Sequence, residues 1–457
     1  MTGIWNDLLH GPHWRSTRLL WVEDDTEYTW VQVDTLARQL EDAIGAARVV
    51  RIRSASKLGC FAGQLAAWRA GCVAVADDGK LGPAEIDRIR PDTTVRTDLV
   101  SPPEVVARTA PRADLPAEVV AVNLTSGSTG SRKVVAVTRD NLAALFACRG
   151  LDVPGDGDLV AGSFATPTFD GWWFDTWRTV AAGGAVVCLP SVNEDVFAWS
   201  ELAERYGIRR VLLPAAVIAT IVEALPSSVA AIPWIFSGGE QFRAATVRQA
   251  RAAGLTNRFV NLYGPTEATF ATHGYRLPAG FDADTIPIGQ PLDGCEQTLD
   301  ELAEPGTYEL VVGGPLVCLG YVERGALTRR FDGVYRTRDI VRVSGEADLV
   351  YAGRLDSQIK VNGMRVDAAA LEQQVTELPT VLDCRIAQDG RRTVAFVLGD
   401  RAVQPDVETV VKRFSPAIAV QLVAHFPTKP GGKVDLAALM DQHRALDQLV
   451  TAKDGEQ

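Results

Sequence analysis

The chain has 457 residues, too many for one ordinary hydrophobic core, and length alone points to two to four structural units. Hydrophobic residues make up 47% and charged residues 23%, an ordinary globular composition. The formal net charge of −11 argues against a general nucleic-acid binder, while a small anionic ligand needs only local positive potential. The seven cysteines (Cys60, Cys72, Cys148, Cys188, Cys295, Cys318 and Cys384) are odd in number and never form a CxxC pair. That spacing argues against a disulfide framework and a structural zinc site, and most are expected to be small buried hydrophobes. The opening MTGIWNDLLHGPHW has no basic stretch followed by an apolar run, so no signal peptide is expected. No apolar run reaches the roughly 18 residues of a membrane span, so no membrane association is expected and the expected location is the cytoplasm.

In chain order, residues 30–47 show helical spacing, with Val33, Leu36, Leu40 and Ile44 on one face. Residues 47–53 and 72–76 read as short strands around a helical LAAWRAG, the order of a parallel α/β layer. The pattern recurs at 119–124 and 133–137, followed by a helix from Asn141. Residues 184–189 and 209–213 are further buried-strand candidates. After about residue 280, Pro287, Gly289, Pro291, Gly294, Pro305 and Gly306 punctuate short strands such as 307–312 and predict a smaller β-rich unit. From about 357 the pattern predicts a hairpin (359–366), a helix (368–377), strands near 381–387 and 393–398, and a final helix after Asp435. The expected fold is therefore α/β. Residues 1–355 form a large N-terminal core of parallel layers plus a β-rich subdomain, and residues 356–457 a small α+β domain.

Four motifs have residue types suited to chemistry. Thr125-Ser126-Gly127-Ser128-Thr129-Gly130, with Lys133, joins two apolar strands; small residues let backbone approach an anion, and hydroxyl and N–H groups donate to phosphate oxygens. It lacks the Walker A spacing and, alone, reads more readily as a turn. Asn261-Leu262-Tyr263-Gly264-Pro265-Thr266-Glu267 offers an aromatic ring for a base, a hydroxyl for phosphate and a hard carboxylate for Mg²⁺. Asp339, with Arg354 downstream, suits a ribose diol. Pro427–Asp435 is a Pro/Gly loop presenting Lys433. Each has a bland alternative: a Gly-Pro turn, a surface charge cluster, a solvated lysine.

The four together, in this order, resemble the adenylate-forming superfamily of acyl-CoA synthetases, luciferases and nonribosomal-peptide adenylation domains. The match runs from about residue 28 to about residue 440. The resemblance implies ATP and Mg²⁺ as cofactors. It assigns the ATP phosphates to Thr125–Gly130 and Lys133, adenine to Asn261 and Tyr263 beside Gly264, the α-phosphate to Thr266, and magnesium to Glu267. Asp339 and Arg354 fall at the ribose positions, Asp356 at a hinge, Gly363 where a thiol arm approaches, and Lys433 at the catalytic lysine. Departures are Arg132, Val134 and Thr138 in the phosphate-loop region, and Arg338 where the family has glycine.

Phe169-Asp170-Gly171-Trp172-Trp173 aligns with the segment whose aspartate pairs with an amino acid's α-ammonium in peptide-synthetase adenylation domains. Carrying the remaining pocket over gives Gly171, Phe174, Ala216, Phe236, Gly238, Leu262, Phe270 and Ala271, all apolar. The resemblance therefore implies ATP-dependent adenylation of an amino acid with a hydrophobic side chain, leaning to branched aliphatic, with an aromatic or nonproteinogenic substrate, including a β-amino acid, left open. The acceptor would be the phosphopantetheine thiol of a separate carrier protein, in nonribosomal peptide or antibiotic biosynthesis. A small MbtH-like helper is among the partners the family admits, and a monomer is expected. Two alternatives stay open: an acyl-CoA ligase, and a catalytically silent scaffold homologue.

Overall fold

The computed structural model describes residues 2–98, 102–109, 113–125, 133–154, 159–345, 347–355, 358–361, 364–389, 392–428 and 434–454. The fold is α/β and divides into two compact units. One comprises 1–299, 311–337 and 344–350; the other comprises 300–310, 338–343 and 351–457. Among the described residues no helix is long and apolar enough to cross a membrane.

Two large sheets dominate the first unit. In the nine-stranded sheet, Arg258–Tyr263, Trp234–Ser237, Arg210–Leu213, Val160–Ser163, Ala185–Cys188 and Leu19–Glu23 are neighbours in that order and run parallel. Their runs, such as RVLL and WIFS, are buried on both faces, which is why they read as continuous rather than alternating. In the eight-stranded sheet, Val49–Arg53 pairs in parallel with Val73–Asp77 and Thr93–Arg96.

Strands Val119–Leu124 and Val134–Thr138 correct one expectation. They pair antiparallel as a hairpin, not as another parallel crossover. The connection 125–133 is too short for a crossover, which needs roughly a dozen residues or more. Thr138, where the family has histidine, caps helix Arg139–Ala147. Its hydroxyl accepts from Asn141 N at 3.1 Å, and Asn141 Oδ1 accepts from Thr138 N at 2.8 Å.

Helix Lys57–Arg69 is buried from Leu58 to Trp68. Glu23, at the end of its strand, accepts from Lys57 N at 2.7 Å, Leu58 N at 2.8 Å and Ser56 Oγ at 3.0 Å, an anion on a helix N-terminus. The segment 171–180 is buried throughout, and Trp173–Trp177 forms a π-helical turn within it. Tryptophans in this segment and in the buried helix pack on one another: Trp68 lies 4.2 Å from Trp177 and 6.1 Å from Trp173 between ring centroids. Gln64 Oε1 accepts from both Trp172 Nε1 and Trp177 Nε1 at 2.8 Å, and Asn123 Oδ1 accepts from Trp173 Nε1 at 3.0 Å.

The second unit holds a three-stranded sheet, Val381–Asp389, Arg392–Gly399 and Ile418–Val423. Leu371, Val375, Val407 and Val411 from helices Ala368–Thr376 and Gln404–Phe414 share a core with the sheet's Cys384, Ala395 and Val397. Leu439 and Met440 of the last helix, Leu436–Asp454, pack with Ala387, Val394 and Phe396. The expected hairpin is present as Gln358–Val361 paired antiparallel with Met364–Asp367.

Burial pushes the Asp175 carboxyl up to about 6, against the opposing pull of Lys57 and of hydrogen bonds from Ala165 N, Thr176 Oγ1 and Phe164 N. A carboxyl raised by folding stabilises the fold most below its unfolded value near 3.8, and that contribution is lost as pH rises through about 6. Asp175→Asn carries no such charge. Its unfolding free energy relative to the parent should rise by on the order of 2–3 kcal/mol between pH 4 and pH 7. Urea titrations followed by tryptophan fluorescence check this; a pH-independent difference would contradict it.

Candidate active site

Four of the segments singled out in the sequence follow the C-terminal ends of parallel strands in the nine-stranded sheet. Val160–Ser163 leads to Phe169 and Asp170, Arg210–Leu213 to Ala216, Trp234–Ser237 to Gly238, and Arg258–Tyr263 to Gly264–Glu267. That edge of a parallel sheet is where open α/β folds bind ligands.

Phe174 is fully buried, 5.0 Å from Phe236 and stacked on Phe270 at 5.4 Å between ring centroids. The Arg210 guanidinium lies 4.6 Å from the Phe174 ring centroid. Leu262 and Ala271 are buried. A Cβ on Gly171 would approach Leu212 Cδ2 to 2.9 Å and Phe270 Cε2 to 3.9 Å, and one on Gly238 would meet Leu262 O at 3.4 Å. Ala216 is exposed near the start of helix Ala215–Ala224, its N–H 3.4 Å from Glu240 Oε2. The apolar wall thus consists of Gly171, Phe174, Phe236 and Phe270 with Leu212, a residue the sequence reading omitted.

Half-buried Asp170 lies beside that wall, immediately before Gly171. Its Oδ2 accepts a 2.6 Å hydrogen bond from Thr266 Oγ1 across 96 residues of sequence. Half-buried Phe169 precedes it, its carbonyl accepting from Trp172 N at 3.2 Å. Two motifs found separately in the sequence therefore meet at this bond.

The turn that presents Thr266 is tightly determined. A Cβ on Gly264 would lie 2.6 Å from Phe270 O and 2.7 Å from Ala271 Cα, so only glycine fits. Thr266–Ala268 forms one 3₁₀ turn, and Thr269 follows at φ 69°, ψ −54°. Phe270 N donates to Ala268 O at 2.8 Å, closing a strained γ-turn on a fully buried, β-branched residue. Thr269 Oγ1 donates to Leu316 O at 2.6 Å and holds the turn.

Glu267 is buried at 8% exposure, and its Oε1 accepts from Tyr321 Oη at 2.6 Å. Lys133 Nζ lies 4.9 Å from the Tyr321 ring centroid, and Tyr335 Oη is 3.5 Å from Tyr321 Oη. Burial and the neighbouring Glu267 carboxylate push the Tyr321 phenol well above its ordinary range, so it stays a donor. The sequence reading missed Tyr321, which lies in strand Gly320–Glu323 with no local pattern tying it to Glu267. Thr125 N donates to Lys133 O at 2.9 Å where the hairpin opens. Asn261 Nδ2 is used within the fold, donating to Pro287 O at 2.8 Å, and half-buried Tyr263 stands edge-on to His273 at 5.8 Å.

In the second unit, Arg354 Nη1 donates to Asp339 Oδ1 at 2.8 Å; Asp339 is buried and Arg354 is 42% exposed. Arg338, the residue before Asp339, has φ 65°, and its carbonyl accepts from Leu355 N at 2.7 Å. Ser126, Gly127, Ser128, Thr129, Gly130, Arg132, Asp356, Gly363 and Lys433 lie outside the described residues.

Residues 91–322 match the AMP-binding enzyme family. The chain belongs to that family and so to the adenylate-forming superfamily. It is 33% identical over 346 residues to the probable non-canonical nonribosomal peptide synthetase CymA of Salinispora arenicola (strain CNS-205), covering 69% of this chain and 4% of that protein. It is 29% identical over 356 residues to the L-proline–[L-prolyl-carrier protein] ligase of Streptomyces coelicolor, covering 71% of this chain and 66% of the relative. This chain thus spans a small fraction of CymA and about two thirds of the ligase. The fold is that of Klebsiella oxytoca NpsA, solved in complex with 3-hydroxyanthranilyl-AMSN. The TM-score is 0.77 at 18% identity, over 96% of this chain and 98% of that one.

Arg338 shows why glycine is usual at its position: a side chain in left-handed backbone costs about 1–2 kcal/mol, and glycine escapes this at an entropic cost of about 0.5–1 kcal/mol. Arg338→Gly should therefore hold or raise the melting temperature in differential scanning calorimetry, while Arg338→Val lowers it. The opposite ranking would contradict the strain argument.

Proposed function

We propose that this protein activates an amino acid with an apolar side chain as its aminoacyl-AMP, then transfers it to the phosphopantetheine thiol of a carrier protein. The observation that carries the reading is the Asp170 carboxylate, half-buried beside the Phe174, Phe236 and Phe270 wall and bonded to Thr266 at 2.6 Å. An anion next to an apolar wall suits a ligand with an ammonium and a hydrocarbon side chain. A polar side chain there would lose water without a partner, at a cost of about 1–3 kcal/mol. The bulk of Phe174, Phe236 and Phe270 narrows the space, and the order Asp170, Gly171, Phe174, with Gly238 later, resembles pockets for branched aliphatic amino acids, which favours such a side chain. The names of CymA and the prolyl-carrier ligase support the amino acid and the carrier.

In this mechanism the substrate carboxylate attacks the α-phosphorus of ATP, the bond to the β-phosphate oxygen breaks, and pyrophosphate leaves. Both reactants are anionic, so catalysis consists mainly of positioning and charge neutralisation. Thr266 donates to the α-phosphate, and Lys433 bridges the carboxylate and that phosphate. Lys133 and the loop from Thr125 take the distal phosphates, Asn261 and Tyr263 face adenine, and Asp339 and Arg354 take the ribose. Glu267 would hold Mg²⁺; one buried carboxylate plus substrate phosphates fits that ion's usual donor set, and Tyr321 fixes the carboxylate's orientation. When bound, the ion offsets phosphate charge. Asp356 serves as hinge and Gly363 as the point of thiol approach. The protein acts as a monomer, with an MbtH-like helper as an optional partner.

The test is amino-acid-dependent exchange of labelled pyrophosphate into ATP, across aliphatic, aromatic and β-amino acids and simple carboxylic acids. Exchange with a branched apolar amino acid is expected. Exchange only with acids lacking an amino group would move the protein to acyl-CoA ligases, and none at all, without ATP binding, to scaffolds. Asp170→Ala should raise KM for the amino acid by tenfold or more while leaving KM for the deamino acid near its parent value. Lys433→Ala should abolish exchange and leave the melting temperature unchanged; exchange near the parent rate would remove Lys433 from the mechanism.

A further inference from the structure

The bond between Thr266 and Asp170 joins two sites that the proposed reaction uses together. A threonine hydroxyl has one proton to donate. Here that proton goes to Asp170 Oδ2 at 2.6 Å, the short distance of a charge-assisted bond. A nucleotide α-phosphate at Thr266 would present a second anionic acceptor to the same proton. Both acceptors cannot be served at once. Thr266 has little freedom to move away, because Gly264 admits no side chain and the γ-turn at Thr269 fixes the loop from the other end.

We propose that the Thr266 hydroxyl is a coupling element: an ammonium arriving at Asp170 releases it to the nucleotide, so amino acid and ATP each tighten the binding of the other. This rests on the reading of Asp170 and Thr266 given above. An ammonium brings three donors and a positive charge to Asp170, which offsets the carboxylate's charge and weakens its hold on the Thr266 proton. The hydroxyl then turns to the phosphate. Without an ammonium, the nucleotide must break the bond to Asp170 before it gains its own. Linkage makes the effect reciprocal. A hydrogen bond to a charged group corresponds to a coupling of roughly tenfold in affinity.

Binding of α,β-methylene-ATP, which cannot transfer its α-phosphoryl group, is measured by calorimetry. It is titrated alone and with saturating L-isoleucine, L-valine, L-leucine or L-phenylalanine, and with 3-methylpentanoate as the deamino control. In the parent protein at least one of these amino acids should tighten nucleotide binding by roughly tenfold. 3-Methylpentanoate should not. Thr266→Ser should keep the coupling and Thr266→Val should lose it. Asp170→Ala should bind the nucleotide more tightly than the parent does when no amino acid is present, a gain that a merely structural role would not produce. Coupling that persists in Thr266→Val, equal tightening by 3-methylpentanoate, or no tightening by any of the amino acids in a protein that still binds the nucleotide would each overturn the proposal. Failure of the parent protein to bind the nucleotide at all would remove the functional reading itself, and the coupling with it.

Discussion

The Gln64 side-chain carbonyl oxygen accepts two indole N–H groups, from Trp172 and Trp177, and the candidate site depends on that arrangement. Gln64 sits in the buried helix Lys57–Arg69, while Trp172 caps and Trp177 ends the π-helical turn that follows Asp170 and Gly171. An indole without a partner would be costly at this depth, and so would the glutamine. Satisfying all three at one point leaves the segment little freedom to rotate or slide. A third indole, Trp173, bonds Asn123 on the strand that enters the phosphate-loop hairpin. The segment that follows Asp170 is thereby fixed to a buried helix and to the strand that runs into Thr125. The aromatic packing supplies the hydrophobic part of the stabilisation, and the hydrogen bonds select one register within it.

The π-helical turn, with its i→i+5 bonding, holds more residues per turn than an α-helix. Phe174 faces Phe236 and Phe270, while Trp173 and Trp177 both pack near Trp68. A regular amphipathic helix has one apolar stripe, whereas this segment is buried on every side. That explains why hydrophobic periodicity did not reveal it: in Gly-Trp-Trp-Phe-Asp-Thr-Trp the polar Asp175 and Thr176 are buried with the aromatics, so no polar face stands out. The segment was found by its resemblance to a family motif, not by its pattern.

Periodicity served better where one face meets water. Helix Trp30–Ile44 lies within the predicted 30–47 and ends three residues earlier; Val33, Leu40 and Ile44 are buried as expected, Leu36 is half-buried, and Trp30, Asp34 and Ala37 join the buried face. The strands Val119–Leu124 and Arg210–Leu213 were readable because their runs are continuous and short. Their pairing was not, since a run of valines does not say whether its neighbour is parallel; connection length decides that. Among site residues, Asp170, Thr266, Glu267 and Asp339 were identifiable by motif. Their partners were not. Tyr321 lies 54 residues beyond Glu267, and no local pattern links the two. The same holds for the bond from Thr266 to Asp170, which only the fold brings together.

The backbone at Thr269 and Arg338 shows the same limit. Both have positive φ, and neither is glycine. Read from sequence, Thr269 is an unremarked residue after the YGPTE motif, and Arg338 is a departure that invites doubt about activity. In the structure each is an ordinary residue held in costly backbone beside a functional candidate: Thr269 behind Glu267, Arg338 before Asp339. Strain of this kind persists only where the surroundings outweigh it. At Thr269 the hydrogen bond to Leu316 O and full burial supply that constraint. At Arg338 the carbonyl bonded to Leu355 N does, and Asp339 remains buried against Arg354. The arginine thus occupies a backbone conformation that glycine adopts without the steric penalty, and the cost falls on stability.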